Sequence, residues 1–185
     1  HTILLPPFVD QPVIPDLDLT PLGPHFVIKP SNEGGSEGVI LGAFSMEQIL
    51  RARMEFPKQK YLIQETITPR TIHGQPAWFR VFYAVGRTYP CFWHPLTHVF
   101  SPVTPYDEHK YELTPLHDIT QRIASICRLD WFSTEIALTH HDFIVVDYVN
   151  DGIDTRVQSK AVDGVPDEVM LGIAYQLAGL IKGAT

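Results

Sequence analysis

Proline sets the first limit on this chain. Six of its 16 prolines (Pro6, Pro7, Pro12, Pro15, Pro21 and Pro24) fall within the first 24 residues. Each ring removes a backbone donor and turns the preceding residue away from helical angles, so this segment cannot be helical. Residues 1–24 therefore read as a Pro-rich extended segment, either a strap laid over the domain or the tail of a connection to a lost lobe. The opening, His1-Thr2-Ile3, has no initiator Met and lacks the charged-then-apolar plan of a signal peptide, which reads as a fragment of a longer chain.

The remaining length is ample for a core, in one domain or in two small lobes that share a cleft. The 185 residues are 44% apolar and only 19% charged, a balance that excludes a disordered chain. No stretch approaches the roughly 20 uninterrupted apolar residues of a spanning helix, so no membrane partner is expected. The formal charge of −7 also argues against a nucleic-acid partner, because a cation excess is what releases phosphate counterions. Cys91 and Cys127 each lie in an apolar segment, as expected of two reduced thiols in a cytoplasmic protein.

From residue 25 the periodicity alternates between strands and helices. Phe26-Val27-Ile28 and Val39-Ile40-Leu41 read as short strands around a glycine loop. Ser45 with Gln48 forms a capping box for a helix that Pro57 ends, and Met46, Ile49, Leu50 and Met54 form its expected inward stripe. Tyr61-Leu62-Ile63-Gln64-Glu65 is a strand, and residues 77–93 form a hairpin turning at Gly86-Arg87. Thr114-Pro115 opens a helix with Ile119, Ile123, Ile126 and Cys127 as its expected core face. Residues 134–148 form a second hairpin about Thr139-His140-His141-Asp142. Pro166 starts a last helix, whose expected inward residues are Val169, Ile173, Leu177 and Ile181, and Gly183 stops it. The fold class is α+β with antiparallel sheets.

Three sets of residues carry possible chemistry. The run Gly34-Gly35-Ser36-Glu37-Gly38 after Lys29 suits a hairpin flap whose backbone N–H groups approach phosphate oxygens, with Lys29 as a point charge; it equally suits a flexible turn beside a surface lysine. Glu135 and Asp147 lie on the two strands of the second hairpin, with Asn150 beyond. A hairpin loop of three or five residues puts the two acids on one face, and a loop of two or four puts them on opposite faces. On one face they offer hard oxygen ligands for Mg²⁺; the competing reading is a structural ion pair with Arg80 or Arg156. An arginine among aromatics, as Arg80 is, requires an anion. His94 and His98 near Cys91, and His140 with His141, lack the spacing of a zinc site.

In their order along the chain these pieces resemble the ATP-grasp superfamily of carboxylate–amine and carboxylate–thiol ligases. The resemblance rests on Phe26-Val27-Ile28-Lys29-Pro30 with Gly34-Gly35-Ser36-Glu37-Gly38, on Tyr61 through Ile67, on Phe79-Arg80-Val81-Phe82, and on the hairpin ending Val146-Asp147-Tyr148-Val149-Asn150. It implies two small α+β lobes enclosing a nucleotide cleft, residues 25–66 with the flap and 67–185 with the metal site. It also implies Mg-ATP as cofactor and an acyl-phosphate made from a small-molecule or peptide carboxylate, which an amine or thiol attacks. By resemblance, Lys29, Gly34, Gly35, Ser36 and Gly38 serve the phosphates, and Gln64, Glu65 and Ile67 serve adenine. Arg80 faces the transferred phosphoryl, Glu135, Asp147 and Asn150 hold the metal, and Arg156 lies where acidic substrates bind. Two departures stand out: no upstream nucleotide lysine precedes Lys29, and the final metal word is one residue longer than Glu-x-Asn. Asn150 therefore needs a bulge or bend after Tyr148 to reach the face of Asp147. The amino-terminal lobe of such ligases is also absent from the sequence, and the alternative function is a non-catalytic nucleotide- or protein-binding module.

Overall fold

A computed structural model describes residues 1–32 and 37–183, with the side chains of 181–183 left aside. The backbone divides into two compact units, His1–Ile67 and Thr68–Thr185. Both are α+β with antiparallel sheets, as the alternating periodicity predicts.

The first unit is a four-stranded sheet backed by one helix. In chain order it holds β1 (Thr2–Leu5), a 3₁₀ turn (Thr20–Leu22), β2 (Phe26–Pro30), β3 (Ile40–Ala43), α1 (Met46–Glu55) and β4 (Tyr61–Glu65), with strand order β1-β4-β2-β3. Phe26, Ile28, Tyr61 and Ile63 alternate onto one face and bury against Ile49 and Ala52 of α1. The Ser45–Gln48 capping box is present. The inward stripe of α1 differs from the expected one: Ile49, Ala52 and Arg53 are buried, Met46 is partly buried, and Met54 is 61% exposed. The cause is the Pro-rich segment, whose carbonyls need donors that its prolines cannot supply. Fully buried Arg53 donates through Nη2 to the carbonyls of Pro6 (2.9 Å) and Gln11 (2.7 Å), with the Phe8 ring beside its guanidinium. The segment is thus extended in part: residues 2–5 pair with β4, while residues 20–22 make a single 3₁₀ turn with Pro21 in its first turn, where no donor is lost.

The second unit contains β5 (Thr71–Ile72), β6 (Gln75–Pro76), β7 (Trp78–Ala84), β8 (Arg87–Trp93), β9 (Phe100–Pro102), α2 (Pro105–Tyr111), α3 (Pro115–Cys127), β10 (Trp131–Leu138), β11 (Phe143–Asn150) and α4 (Asp167–Gly183). Its main sheet runs β11-β10-β7-β8-β9, antiparallel throughout. β7 and β8 join through Val85-Gly86, both at positive φ, the backbone that a two-residue hairpin requires. One sheet face (Phe79, Val81, Phe92, Ile136, Leu138) packs with Leu113, just before α3, and with Leu116 in its first turn. The other (Phe82, Ala84, Cys91, Trp93) packs with Val165 and with Val169 and Ile173 of α4. Gly172 lets α4 lie against Tyr89, whose ring an added Cβ would meet at 2.8 Å.

The buried line of α3 is Leu116, Thr120 and Ala124, with Ile119 only partly buried and Ile126 73% exposed. Small residues at 120 and 124 bring the helix close to the sheet, and the Thr120 hydroxyl is satisfied by the Leu116 carbonyl. That displaces the Ile119-Ile123-Ile126-Cys127 face expected from apolarity alone. In α4, Val169 and Ile173 are buried and Leu177 packs beside them, whereas the Ile181 side chain lies outside the described residues. No helix is long and apolar enough to cross a membrane among the described residues.

Candidate nucleotide and metal site residues

In the first unit, alternation along β2 buries Phe26, Ile28 and Pro30 and leaves Val27 and Lys29 on the opposite, half-buried face. Lys29 stands opposite Leu62 and Val27 opposite Gln64, so the Lys29 and Gln64 side chains share that face. The Gln64 amide donates to Thr2 Oγ1 at 3.2 Å, and Glu65 is exposed at the end of β4, opposite Phe26. Ile67 is half-buried at the end of the unit. Of the glycine loop, Gly34, Gly35 and Ser36 lie outside the described residues. Gly38 has φ +70°, and an added Cβ would meet the Phe56 ring at 2.7 Å, so the turn beside β3 demands glycine.

In the second unit the candidate acids and Arg80 fall in one row across the sheet. Asp147 stands opposite Glu135, Glu135 opposite Arg80, and Arg80 opposite Cys91. Directly opposed residues present their side chains on one face. The hairpin loop outside the strands is four residues, 139–142, which by parity alone sets Asp147 away from Glu135. Two register shifts reverse this. Ile136 pairs with Val145 but Glu135 with Asp147, so Val146 is an extra residue; Ser133 then pairs with Asn150, which adds another. Each shift re-aims the strand by one residue. Together they bring Asp147 and Asn150 onto the face of Glu135 and Ser133. The Asp147 carbonyl, beside both irregularities, accepts from the Thr134 hydroxyl at 2.9 Å.

Arg80 is held by neighbours that sequence reasoning missed. Its Nε donates to Ser133 Oγ (3.1 Å), its guanidinium lies 5.4 Å from the centre of the Trp93 ring, and Nη2 is 3.7 Å from Glu135 Oε1. Period-two alternation from Glu135 marks Ser133 as a face-mate, and that signal was available in the sequence. Arg156 is engaged by two acids: Nη2 is 2.6 Å from Asp154 and 2.9 Å from Asp163. Hydrogen bonds to Asp154 and then Asp163, with their charges, hold the guanidinium above its ordinary range, and the bond from Arg156 holds Asp154 low. The Arg80 charge lowers Asp154 further, which places the 151–156 loop within electrostatic reach of the row. Cys91, opposite Arg80 in the row, is buried, and that burial, then the charge of Glu168, pushes its thiol far above the usual value, away from the thiolate that a nucleophile requires.

The oxygen donors of Glu135, Asp147 and Asn150 are of the hard type that suits Mg²⁺. They include two carboxylates, and among the described residues no group of three or more His, Cys, Asp or Glu is gathered as a metal site.

No protein-family model matches the sequence, and no curated protein matches it. Solved structures do match. D-alanine–D-alanine ligase from Bacillus anthracis, complexed with ATP, is similar at TM-score 0.60 and 14% identity, over 100% of this chain and 62% of that one. The ATP-grasp ligase PsnB, complexed with minimal precursor, Mg and ADP, is similar at TM-score 0.55 and 14% identity, over 85% of this chain and 48% of that one. A RimK domain ATP-grasp protein from Sphaerobacter thermophilus is similar at TM-score 0.55 and 19% identity, over 88% and 57%. The chain thus spans about half to three-fifths of the length of these structures. At such identities the fold is what is shared, and the chain has the fold of the ATP-grasp ligases.

Proposed function

We propose that this chain is the ATP- and Mg²⁺-binding domain of an ATP-dependent ligase, which activates a carboxylate as an acyl-phosphate for attack by an amine or thiol. The observation that carries the reading is the pair of irregularities in β11, which sets Asp147 and Asn150 on the face of Glu135 beside Arg80. A sheet gives up ladder hydrogen bonds to do this, as strands do where a side chain must be re-aimed.

In this reading Glu135, Asp147 and Asn150 hold Mg²⁺, which when bound neutralises charge on the nucleotide phosphates. Lys29 supplies a further point charge to those phosphates, and the backbone of Gly34, Gly35, Ser36 and Gly38 donates to their oxygens. Gln64, Glu65 and Ile67 read adenine. Arg80, kept in place by Ser133 and Trp93, offers its guanidinium to the transferring phosphoryl group. Phosphoryl transfer asks for this kind of fixed charge more than for covalent chemistry. Arg156 serves an anionic substrate by exchanging Asp154 and Asp163 for the substrate's carboxylate. The substrates are a small-molecule or peptide carboxylate and an amine or thiol, and the setting is the cytoplasm.

Mg-ATP at millimolar concentration raises the melting temperature of the 185-residue chain, as a ligand selective for the folded state must. An unchanged melting temperature counts against the assignment. ADP release on adding a carboxylate and an amine distinguishes a working ligase from a module that only binds nucleotide.

A further inference from the structure

Thr88, His117 and Glu108 form a hydrogen-bonded chain that lies apart from the Arg80 row. Thr88 is three residues before Cys91 on β8, so alternation turns it to the opposite sheet face, that of Phe92, which α3 covers. There the Thr88 hydroxyl is 2.6 Å from His117 Nδ1, and His117 Nε2 is 2.9 Å from Glu108 Oε1. The directions of both bonds follow from the group at the end of the chain. An ionised carboxylate can only accept, so Nε2 carries the imidazole proton and donates to Glu108. Nδ1 of the neutral ring keeps its lone pair, and the Thr88 hydroxyl must donate to it. A hydroxyl, a base placed to take its proton and an acid that orients the base are the arrangement that activates an oxygen nucleophile.

Regular elements hold the three groups in place. Thr88 is in β8, paired with Tyr83, while His117 and Glu108 lie in the first turns of α3 and α2. Gln121, one turn further along α3, donates to the Gly86 carbonyl at 2.7 Å and ties the helix to the β7–β8 turn. Thr88 is half-buried, and the His117 and Glu108 side chains are 30% and 34% exposed, so the chain is open to a small reagent from solvent.

We propose that Thr88 is a site of O-acylation by activated acyl donors, the class of aryl esters and acyl-phosphates, with His117 as general base and Glu108 as its positioning residue. Thr88 Oγ forms the bond to the acyl carbon while His117 Nδ1 takes the hydroxyl proton. The bond from that carbon to the leaving oxygen then breaks, the leaving group departs with the electron pair, and His117 gives up the proton to it. A threonyl ester remains. This chemistry is independent of the nucleotide assignment.

The test treats the 185-residue chain with p-nitrophenyl acetate, follows p-nitrophenolate release and maps the acetyl group by mass spectrometry of peptides. The wild type is expected to carry acetyl on Thr88, and Thr88→Ser to carry it at the same position. His117→Gln is expected to slow acetylation of Thr88 about a hundredfold, the lower end of general-base catalysis, and Glu108→Gln to slow it less. Thr88→Val should remove the fast part of p-nitrophenolate release, a readout that also detects an ester too short-lived to map. Melting temperatures identify any variant that fails to fold; if His117→Gln does, Glu108→Gln carries the comparison. Thr88 acetylated equally fast in the wild type and the folded His117 or Glu108 variants overturns the proposal. So does a wild type without acetyl on Thr88 whose p-nitrophenolate release Thr88→Val matches, which leaves the chain as a brace of α2 and α3 on β8.

Discussion

Asp107 shows how one carboxylate can hold several pieces of a small unit together. It closes the capping box of α2, accepting from the Thr104 backbone and hydroxyl, while His73 Nε2 lies 2.7 Å from its other oxygen. His73 in turn sits edge-on to Phe92 and Tyr111. Burial by itself raises the carboxyl, but the Thr104 and His73 hydrogen bonds and the His73 charge together outweigh it and hold the group below its ordinary value. A folded-state value below the unfolded one contributes stability that is fully present above the unfolded value, about 3.9. That contribution is lost as pH falls through the folded value. Urea titrations at falling pH should therefore show stability declining below about pH 4, and Asp107→Asn should flatten that part of the profile. The same decline in the variant would assign it to other acids.

At the scale of elements, β11 decides where the candidate chemistry lies. The Thr134 hydroxyl caps the Asp147 carbonyl between the two register shifts. Thr134 is itself 1% exposed, so Thr134→Val leaves a polar atom beside it without that partner. A loss of about 1–2 kcal/mol is expected in a thermal or urea melt, with weaker Mg-ATP binding because Asp147 is no longer held in place. A variant as stable as the wild type would show that the carbonyl finds another donor. These shifts were only half legible. The extra residue between Asp147 and Asn150 signalled one, as a requirement of the resemblance. The other, at Val146, sits inside the apolar run Ile144-Val145-Val146, which reads as a plain strand, and loop parity alone gives the wrong face for Asp147. The helices teach a similar lesson. The Ser45–Gln48 box marked α1, and the equivalent Thr104–Asp107 box would have marked α2, which sequence reasoning passed over. The buried faces of α1 and α3 depart from their apolar stripes, although Ile49 is buried as expected, because side-chain size and polar partners decide burial along with apolarity. Arg53 is buried by the proline carbonyls it serves, and Thr120 and Ala124 are buried because their small side chains allow close approach.

At the scale of the whole molecule, the antiparallel pairing followed from turn chemistry and periodicity, whereas the strand order within each sheet, with β1 and β9 at two of the edges, is set by long-range pairing that local pattern does not carry. The fold is shared with ligases at 14–19% identity. At that distance few side-chain identities survive, so the assignment of ATP rests on a handful of positions, chiefly Lys29 and the Glu135, Asp147 and Asn150 set. Calorimetric titration of Mg-ATP into the wild-type chain, Lys29→Ala and Asp147→Asn measures their contribution directly. The account predicts saturable binding to the wild type and affinity reduced at least tenfold, about 1.4 kcal/mol, in each variant. Wild-type affinity in both variants, or no binding by the wild type at millimolar nucleotide, would contradict it.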